Sequence, residues 1–387
     1  MRARAARRLL SWLGEREPEM VELLKRLAGE ETPSHEPAAQ RGALTLLMGE
    51  LERLGFAVRT VRAAGVGDHL LAWPRGRRRG VPFQLVVGHL DTVWPVGTLK
   101  RMPVRRADGR LEGPGVYDMK GGLVQLVFAL RALRAIELEP GATPVVFVNS
   151  DEEIGSPDST RHLRRLARRA ARALVLEPSF GRAGALKTAR KGVGRFELTV
   201  VGRASHAGLA PEAGVSAILE LSHQIQRLFA LNDGDRGITV NVGTIDGGLR
   251  PNVIAPQASA LIEARVRTAE DAARVERALR ELRPVQDGAA LELSGGFARP
   301  PLERTARNRG LWRTAQAAAS ELGVELEQAA VGGASDGNTT SRFTATLDGL
   351  GPVGGGAHAP DEHVVVSQLA ERAALLGLLL VAPVEGG

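Results

Sequence analysis

The stretch that most restricts what this chain can fold into is TPVVFVNSDEEIGS, residues 143–156, where a short apolar, β-branched run leads into two adjacent carboxylates. A run of that length, closed by polar residues, reads as a strand buried on both faces, and such strands belong to parallel sheets covered by helices. Glu152 and Glu153 then stand at the strand's carboxyl end, where open α/β sheets gather their sites. Neighbouring side chains of an extended segment point to opposite sides, so one carboxylate can hold a metal while the other handles a proton. Taken alone, an acidic pair after a strand is more often a solvated turn or a charge at a helix N-terminus.

The surrounding chain repeats the alternation. VPFQLVVGHLDTV supplies a strand, Phe83 to Val87, with His89 and Asp91 just past its end, and Asp118 precedes a mostly apolar helix, Met119 to Ile136. SPDSTRHLRRLARRAA reads as the next helix with Ser156 or Asp158 as its cap, and ALVLEPS as a third strand ending at Glu177. Strand, helix, strand, helix, strand predicts an α/β fold with a mostly parallel sheet. Ahead of it, helical spacing runs from Arg16 to Leu27 and from Arg41 to Leu54, and AVRTVRA reads as an edge strand. Between roughly Thr188 and Pro301 the order becomes β-α-β-β-α-β, the ferredoxin-like order. Residues 189–301 therefore read as an inserted α+β domain within a larger α/β domain made of residues 1–188 and 302–387. Helical pattern returns in LERTARNRGLWRTAQAAASELG, and SQLAERAALLGLLLVA closes the chain as a helix.

A length of 387 residues suits two domains. The absence of cysteine excludes disulfides, thiolate zinc sites and a cysteine nucleophile, so any metal must be held by histidine and carboxylate. No window approaches the roughly eighteen consecutive apolar residues of a membrane span. The basic N-terminus is interrupted too soon for a secretory signal, so a cytoplasmic protein is expected. The net charge of +7 draws on arginine runs at Arg75 to Arg79 and Arg164 to Ala173. With one tyrosine and no recognition motif, these read as solvated loop and helix faces, and no specific nucleic-acid partner is expected.

The residues at strand ends are His89, Asp91, Asp118, Glu152, Glu153 and Glu177, with His358 added from a loop near the end of the chain. Each has a bland reading, as a hydrogen-bonded histidine or a helix cap. Together they form a set of imidazoles and carboxylates only, the donors that suit zinc without thiolates. Parallel strands converge at their carboxyl ends, so these side chains share one crevice, where the carboxylates repel severely unless cations are present. Two metal ions resolve that repulsion.

The motifs GHLDTV (88–93), GPGVYDMKGG (113–122), NSDEEIGS (149–156), LEPS (176–179), RASHAGLAPEAG (203–214), RPNVIA (250–255), GGASDGN (332–338) and GPVGGGAHAPDEH (351–363) run in order through nearly the whole chain. In that ordered set the chain resembles the zinc-dependent metallopeptidases and amidohydrolases that include folate-cleaving glutamate carboxypeptidase, aminoacylase and dipeptidases. The resemblance implies a dizinc exopeptidase domain of the phosphorylase/hydrolase-like α/β kind, carrying a ferredoxin-like lid that also makes a homodimer. It implies one zinc on His89 and Glu177, a second on Glu153 and His358, and Asp118 bridging both, with cobalt or manganese as possible substitutes. Asp91 accepts the other ring N–H of His89, and Glu152 is the general base. Met119 stands where relatives have aspartate, and a cis bond is implied between Asp118 and Met119.

In the lid the resemblance assigns His206 to the partner subunit's site, and Asn252 and Arg265 to the substrate's carboxylate or carbonyl. Lys187, Arg190, Lys191 and Arg299 add cations near the domain junctions. The implied substrate is a small peptide or an N-acyl amino acid, and the expected reaction is release of a C-terminal residue, glutamate foremost. An aminoacylase-like or dipeptidase activity is the alternative. A non-catalytic binding or assembly protein on the same fold is the rival from another class, and the presence of Glu152 with all five ligands speaks against it.

Overall fold

The short apolar runs become strands because most of them bury side chains on both faces, and in the computed structural model, which describes residues 2–78 and 80–384, they build one sheet with a half-exposed edge strand. Arg79, the last residue of the first arginine run, lies outside the described residues. The strands are β1 (Phe56–Val61), β2 (His69–Pro74), β3 (Phe83–His89), β4 (Thr143–Asn149), β5 (Ala170–Val175) and β6 (Ala345–Leu347), in the spatial order β1-β2-β4-β3-β5-β6. From β4 to β6 they run parallel, and β2 and β1 are added antiparallel at one edge. They belong to the first of two compact units, residues 1–188, 304–330 and 335–387; the second comprises 189–303 and 331–334.

Period-two alternation splits the strands between two cores. Val86, Val146, Val148 and Leu174 pack with the helices Gly121–Ala135 and Leu369–Val381, whereas Leu85, Val87, Val145, Phe147 and Val175 meet Leu163 and Ala167 of the helix Thr160–Ala167. Register then sets the site. His89 pairs with Asn149 and Val87 with Val175, so the carboxyl ends of β3, β4 and β5 finish side by side.

Several local readings change. The strand β2 and a first helix, Arg2–Gly14, were not legible in the pattern. The helix expected from Met119 begins at Gly121, after a π-type turn, Val116–Lys120, in which Asp118 and Met119 leave helical angles and the bond between them is cis. The following helix starts at Thr160, and neither Ser156 nor Asp158 caps it. Ser156 instead donates to Asp336 Oδ1 (2.6 Å), and Asp158 engages Arg161 and His69. That helix stops at Ala167 because the chain turns into β5, and Glu177 lies two residues beyond that strand. Arg172 is not on a solvated face: it is buried, donating to Gln84 Oε1 and to the carbonyl oxygens of Leu379 and Ala382. Burial pulls its pKa down to about 10, which leaves it charged at neutral pH.

The second unit contains, in order, the strand Gly192–Val201, the helix Ala217–Phe229, the strands Thr239–Gly247 and Gln257–Val266, the helix Ala269–Arg280 and the strand Ala290–Arg299. Their antiparallel sheet has the spatial order second, third, first, fourth, which is ferredoxin-like. One face is dry, with Phe196, Leu198, Val200, Ala260 and Ile262 under Leu221, Leu228, Val275 and Leu279 of the two helices. Ser216 and Thr268 start those helices by accepting the amides of Leu219 and Asp271. No helix among the described residues is long and apolar enough to cross a membrane.

In the first unit, the glycine-rich run 349–356 is anchored rather than loose. Arg372 of the closing helix, buried, donates to the carbonyls of Gly349 (2.7 Å), Gly351 (3.1 Å) and Gly184 (2.9 Å). Arg372→Leu leaves those acceptors without donors at about 1–3 kcal/mol each. The expected outcome is a loss of roughly 3 kcal/mol or more, read as a lower guanidinium midpoint; an unchanged midpoint would contradict the anchoring.

Candidate metal centre

Each ligand candidate is delivered by the end of an element. His89 is the last residue of β3 and is buried. Glu152 and Glu153 open a short turn, Glu152–Ile154, immediately after β4. Asp118 sits in the turn before the helix Gly121–Ala135, and two glycines let its neighbours close in. A Cβ on Gly122 would meet Leu176 O at 2.2 Å, and one on Gly351 would meet Leu176 O at 2.3 Å and Glu177 O at 2.7 Å. That close approach sets Glu177 beside Asp118. His358 comes from the loop 356–362 with a left-handed backbone (φ 61), a conformation open to histidine more than to most residues.

The side chains meet as two groups joined by one carboxylate. His89 Nε2 lies 3.1 Å from Asp118 Oδ1 and 3.5 Å from Glu177 Oε1. His358 Nε2 lies 3.1 Å from Glu153 Oε2 and 3.6 Å from Asp118 Oδ2. Donors held about 2.0–2.1 Å from a tetrahedral zinc lie about 3.3–3.4 Å from one another, so both groups have the spacing of atoms that share an ion. The donor set fits zinc, and the separate use of Asp118's two oxygens fits a bridge between two ions. Glu152 offers an oxygen within 4.8 Å of ligand atoms of His89 and Glu177, and His89, Asp118 and Glu153 form a second group within the same limit.

Protons report the same crowding. Its hydrogen bond to Glu153 carries the His358 pKa up to about 9, and burial pushes Glu153 up to about 7. Burial works against a charged His89, yet hydrogen bonds to Asp118, Asp91 and Glu177 hold its pKa well above the ordinary histidine range.

Asp91 differs from expectation in detail. The His89 Nδ1 lies nearer the main-chain oxygen of Asp91 (2.9 Å) than its carboxylate (3.5 Å). The carboxylate instead collects Ser34 Oγ (2.7 Å) and the amides of Glu152 and Glu153 (both 3.1 Å). Burial alone would raise its pKa; His89, Ser34 and the Glu153 amide hold it low, so Asp91 stays ionised and grips the backbone at both glutamates.

Lys187 lies in the first unit, where its amide donates to Asp348 O (2.9 Å), and the other candidates belong to the second unit. His206 pairs with Val253, the Ala207 amide donates to Asn252 O, and His206 Nδ1 accepts the amides of Gly208 and Leu209. Arg265 donates to Glu263 Oε1 (2.8 Å) and Gly332 O (2.8 Å), and Arg190 to Gly333 O (3.1 Å). Burial, then Arg267 and Arg265, lower the pKa of Lys191. Sequence reasoning overlooked Ser34, Asp336 and Glu362. Asp336 and Glu362 lie inside motifs already singled out, but their partners are chiefly main-chain amides and uncharged side chains far along the chain, which leave no local pattern.

A family model described as Peptidase family M20/M25/M40 matches residues 85–382. Carboxypeptidase G2 of Pseudomonas sp. (strain RS-16) is 30% identical over 379 residues, covering 95% of this chain and 90% of that protein. Succinyl-diaminopimelate desuccinylase of Bordetella pertussis is 27% identical over 344 residues, covering 84% and 88%. A solved Bacillus subtilis structure, described as a dinuclear metal binding peptidase from this family, aligns with a TM-score of 0.66 at 15% identity over 94% of this chain and 97% of that one.

Asp91→Asn replaces one acceptor oxygen by a donor that faces an amide or Ser34. Zinc affinity is expected to fall about 10–100-fold, as for other groups that orient ligands. Competition with a chromophoric chelator measures it, and an unchanged affinity would remove Asp91 from that role.

Proposed function

Because the chain belongs to the peptidase family M20/M25/M40, we propose that it is a dizinc exopeptidase that hydrolyses the amide bond of a small peptide to release its C-terminal residue, glutamate foremost. The observation that carries the reading is Asp118, whose two oxygens face different histidines. His89 and Glu177 would hold one ion, His358 and Glu153 the other, and Asp118 both. Ions in those positions supply a Lewis acid for the carbonyl and a water of near-neutral pKa.

Glu152 does the proton work. It takes the proton as water attacks the carbonyl carbon, the C–N bond then breaks, and Glu152 returns the proton to the leaving amine. Its amide is tied to Asp91, which aims the carboxylate without occupying it.

In the second unit, the amides on His206 Nδ1 leave the proton of the neutral ring on Nε2, a donor suited to a developing oxyanion. We assign that contact to His206 in the partner subunit's site, with Asn252 and Arg265 recognising the substrate's carbonyl and carboxylate. A homodimer through this unit is supported by the sheet-edge strand Thr239–Gly247, beside which Ile218, Ile245 and Leu249 are exposed. The similarity to a desuccinylase over most of the chain favours, as second reading, hydrolysis of an N-acyl amino acid at the same metals.

Three measurements test this. The purified protein is expected to hold two divalent ions per chain, to lose hydrolysis to a chelator and to regain it with zinc or cobalt. Glu152→Gln is expected to keep both ions and lose about 10²–10⁴-fold in kcat; full activity would refute its role as base. On a substrate panel, turnover of folates and N-blocked dipeptides ending in glutamate supports the carboxypeptidase, whereas turnover confined to N-acetyl or N-succinyl amino acids supports the second reading.

A further inference from the structure

Glu362 is nearly inaccessible, 1% exposed, and every neighbour hydrogen-bonded to its carboxylate is a donor. Oε1 accepts the amides of Tyr117 (3.0 Å) and Asp118 (3.1 Å); Oε2 accepts the amide of Gly115 (3.0 Å) and the indole N–H of Trp94 (2.9 Å). One side chain therefore grips the backbone on which Asp118 is mounted, including the amide of Asp118 itself. Its own backbone belongs to the loop that carries His358, four residues earlier. That loop is tight: Ala359 N donates to Gly356 O (2.8 Å), Glu362 N to Ala359 O (3.0 Å), and Gly113 N to Glu362 O (3.1 Å). Gly356, at φ 72, leaves room for the Asp361–Glu362 peptide, where a Cβ would meet Asp361 C and Glu362 N at 2.7 Å.

We propose that Glu362 is a positioning residue for the second metal position, locking the bridging carboxylate of Asp118 and the imidazole of His358 into one rigid piece. The inference rests on the dinuclear reading above and adds a residue to it. The geometry makes the effect unequal. The first position takes His89 from β3 and Glu177 from the segment after β5, and shares only Asp118 with the Glu362 network. The second takes both Asp118 and His358, so two of its three ligands depend on where Glu362 sits. The pocket is built for two acceptor oxygens, because four N–H groups converge on them. A glutamine in its place turns an NH₂ towards one pair of donors, either Trp94 with Gly115 or Tyr117 with Asp118, and so loosens one end of the lock.

The test titrates metal-free protein with zinc, and separately with cobalt for its visible spectrum, and resolves the two dissociation constants by chelator competition. Glu362→Gln is expected to weaken the second ion at least 10-fold while the first stays within threefold, with the cobalt spectrum changing only in the second equivalent; Glu362→Asp, which keeps the charge, recovers part of the loss. A folded Glu362→Gln protein with both constants within threefold of wild type overturns the proposal, as does equal weakening of both. A merely structural role lowers the melting temperature of the metal-free protein and leaves the ratio of the two constants unchanged, which also overturns it. If Glu362→Gln does not fold, Trp94→Phe removes a single donor and is expected to show the same split at about threefold; no split there is equally fatal. Wild-type protein that binds fewer than two ions refutes the dinuclear reading itself, a result distinguishable from the failure of Glu362 alone.

Discussion

The repulsion among four clustered carboxylates, and its relief by cations, is the constraint on which the rest of the first unit depends. Asp118, Glu152, Glu153 and Glu177 approach two imidazoles at the carboxyl ends of β3, β4 and β5, where a protein without ions must take up protons instead. The raised pKa of His358 and of Glu153 is that exchange seen from the proton's side. Asp118, whose two oxygens face different histidines, is the carboxylate that joins the two halves of the cluster.

Holding such a cluster open takes rigid backbone, and here the rigidity comes from carboxylates outside the cluster. Asp91 takes the amides of Glu152 and Glu153. Asp336 grips both ends of the same loop, accepting Asn149 Nδ2 and Ser156 Oγ at 2.6 Å each. Glu362 does the equivalent for the turn at Asp118. Side chains supported in this way keep their spacing because their backbone has few alternatives, as groups that orient metal ligands do in general. The buried cations Arg172 and Arg372 do comparable work farther out, satisfying carbonyl oxygens where chain segments end or turn.

The second unit obeys simpler rules. Its sheet alternates dry and wet residues, its helices carry side-chain caps, and its element order is readable from the sequence pattern. His206 and Asn252 are neighbours there because the chain folds back to pair His206 with Val253, a contact across 47 residues that no local pattern announces.

The sequence by itself determined the α/β class, the succession of β3, β4 and β5 and the histidines and carboxylates that stand at their ends, because these follow from short-range periodicity and from the rule that parallel strands end together; the roles given to those side chains rest on the resemblance. It also contained the Asp118–Met119 junction, whose cis bond the resemblance implied. Only the tertiary structure decided that Arg172 lies inside, that Asp91 grips backbone more than imidazole, and that Glu362 reaches Tyr117 and Asp118. The reason is physical: a carboxylate that accepts main-chain amides asks nothing of the partner's side chain. Such a bond leaves no trace in residue type or spacing, and it exists only once segments more than 240 positions apart have been packed together.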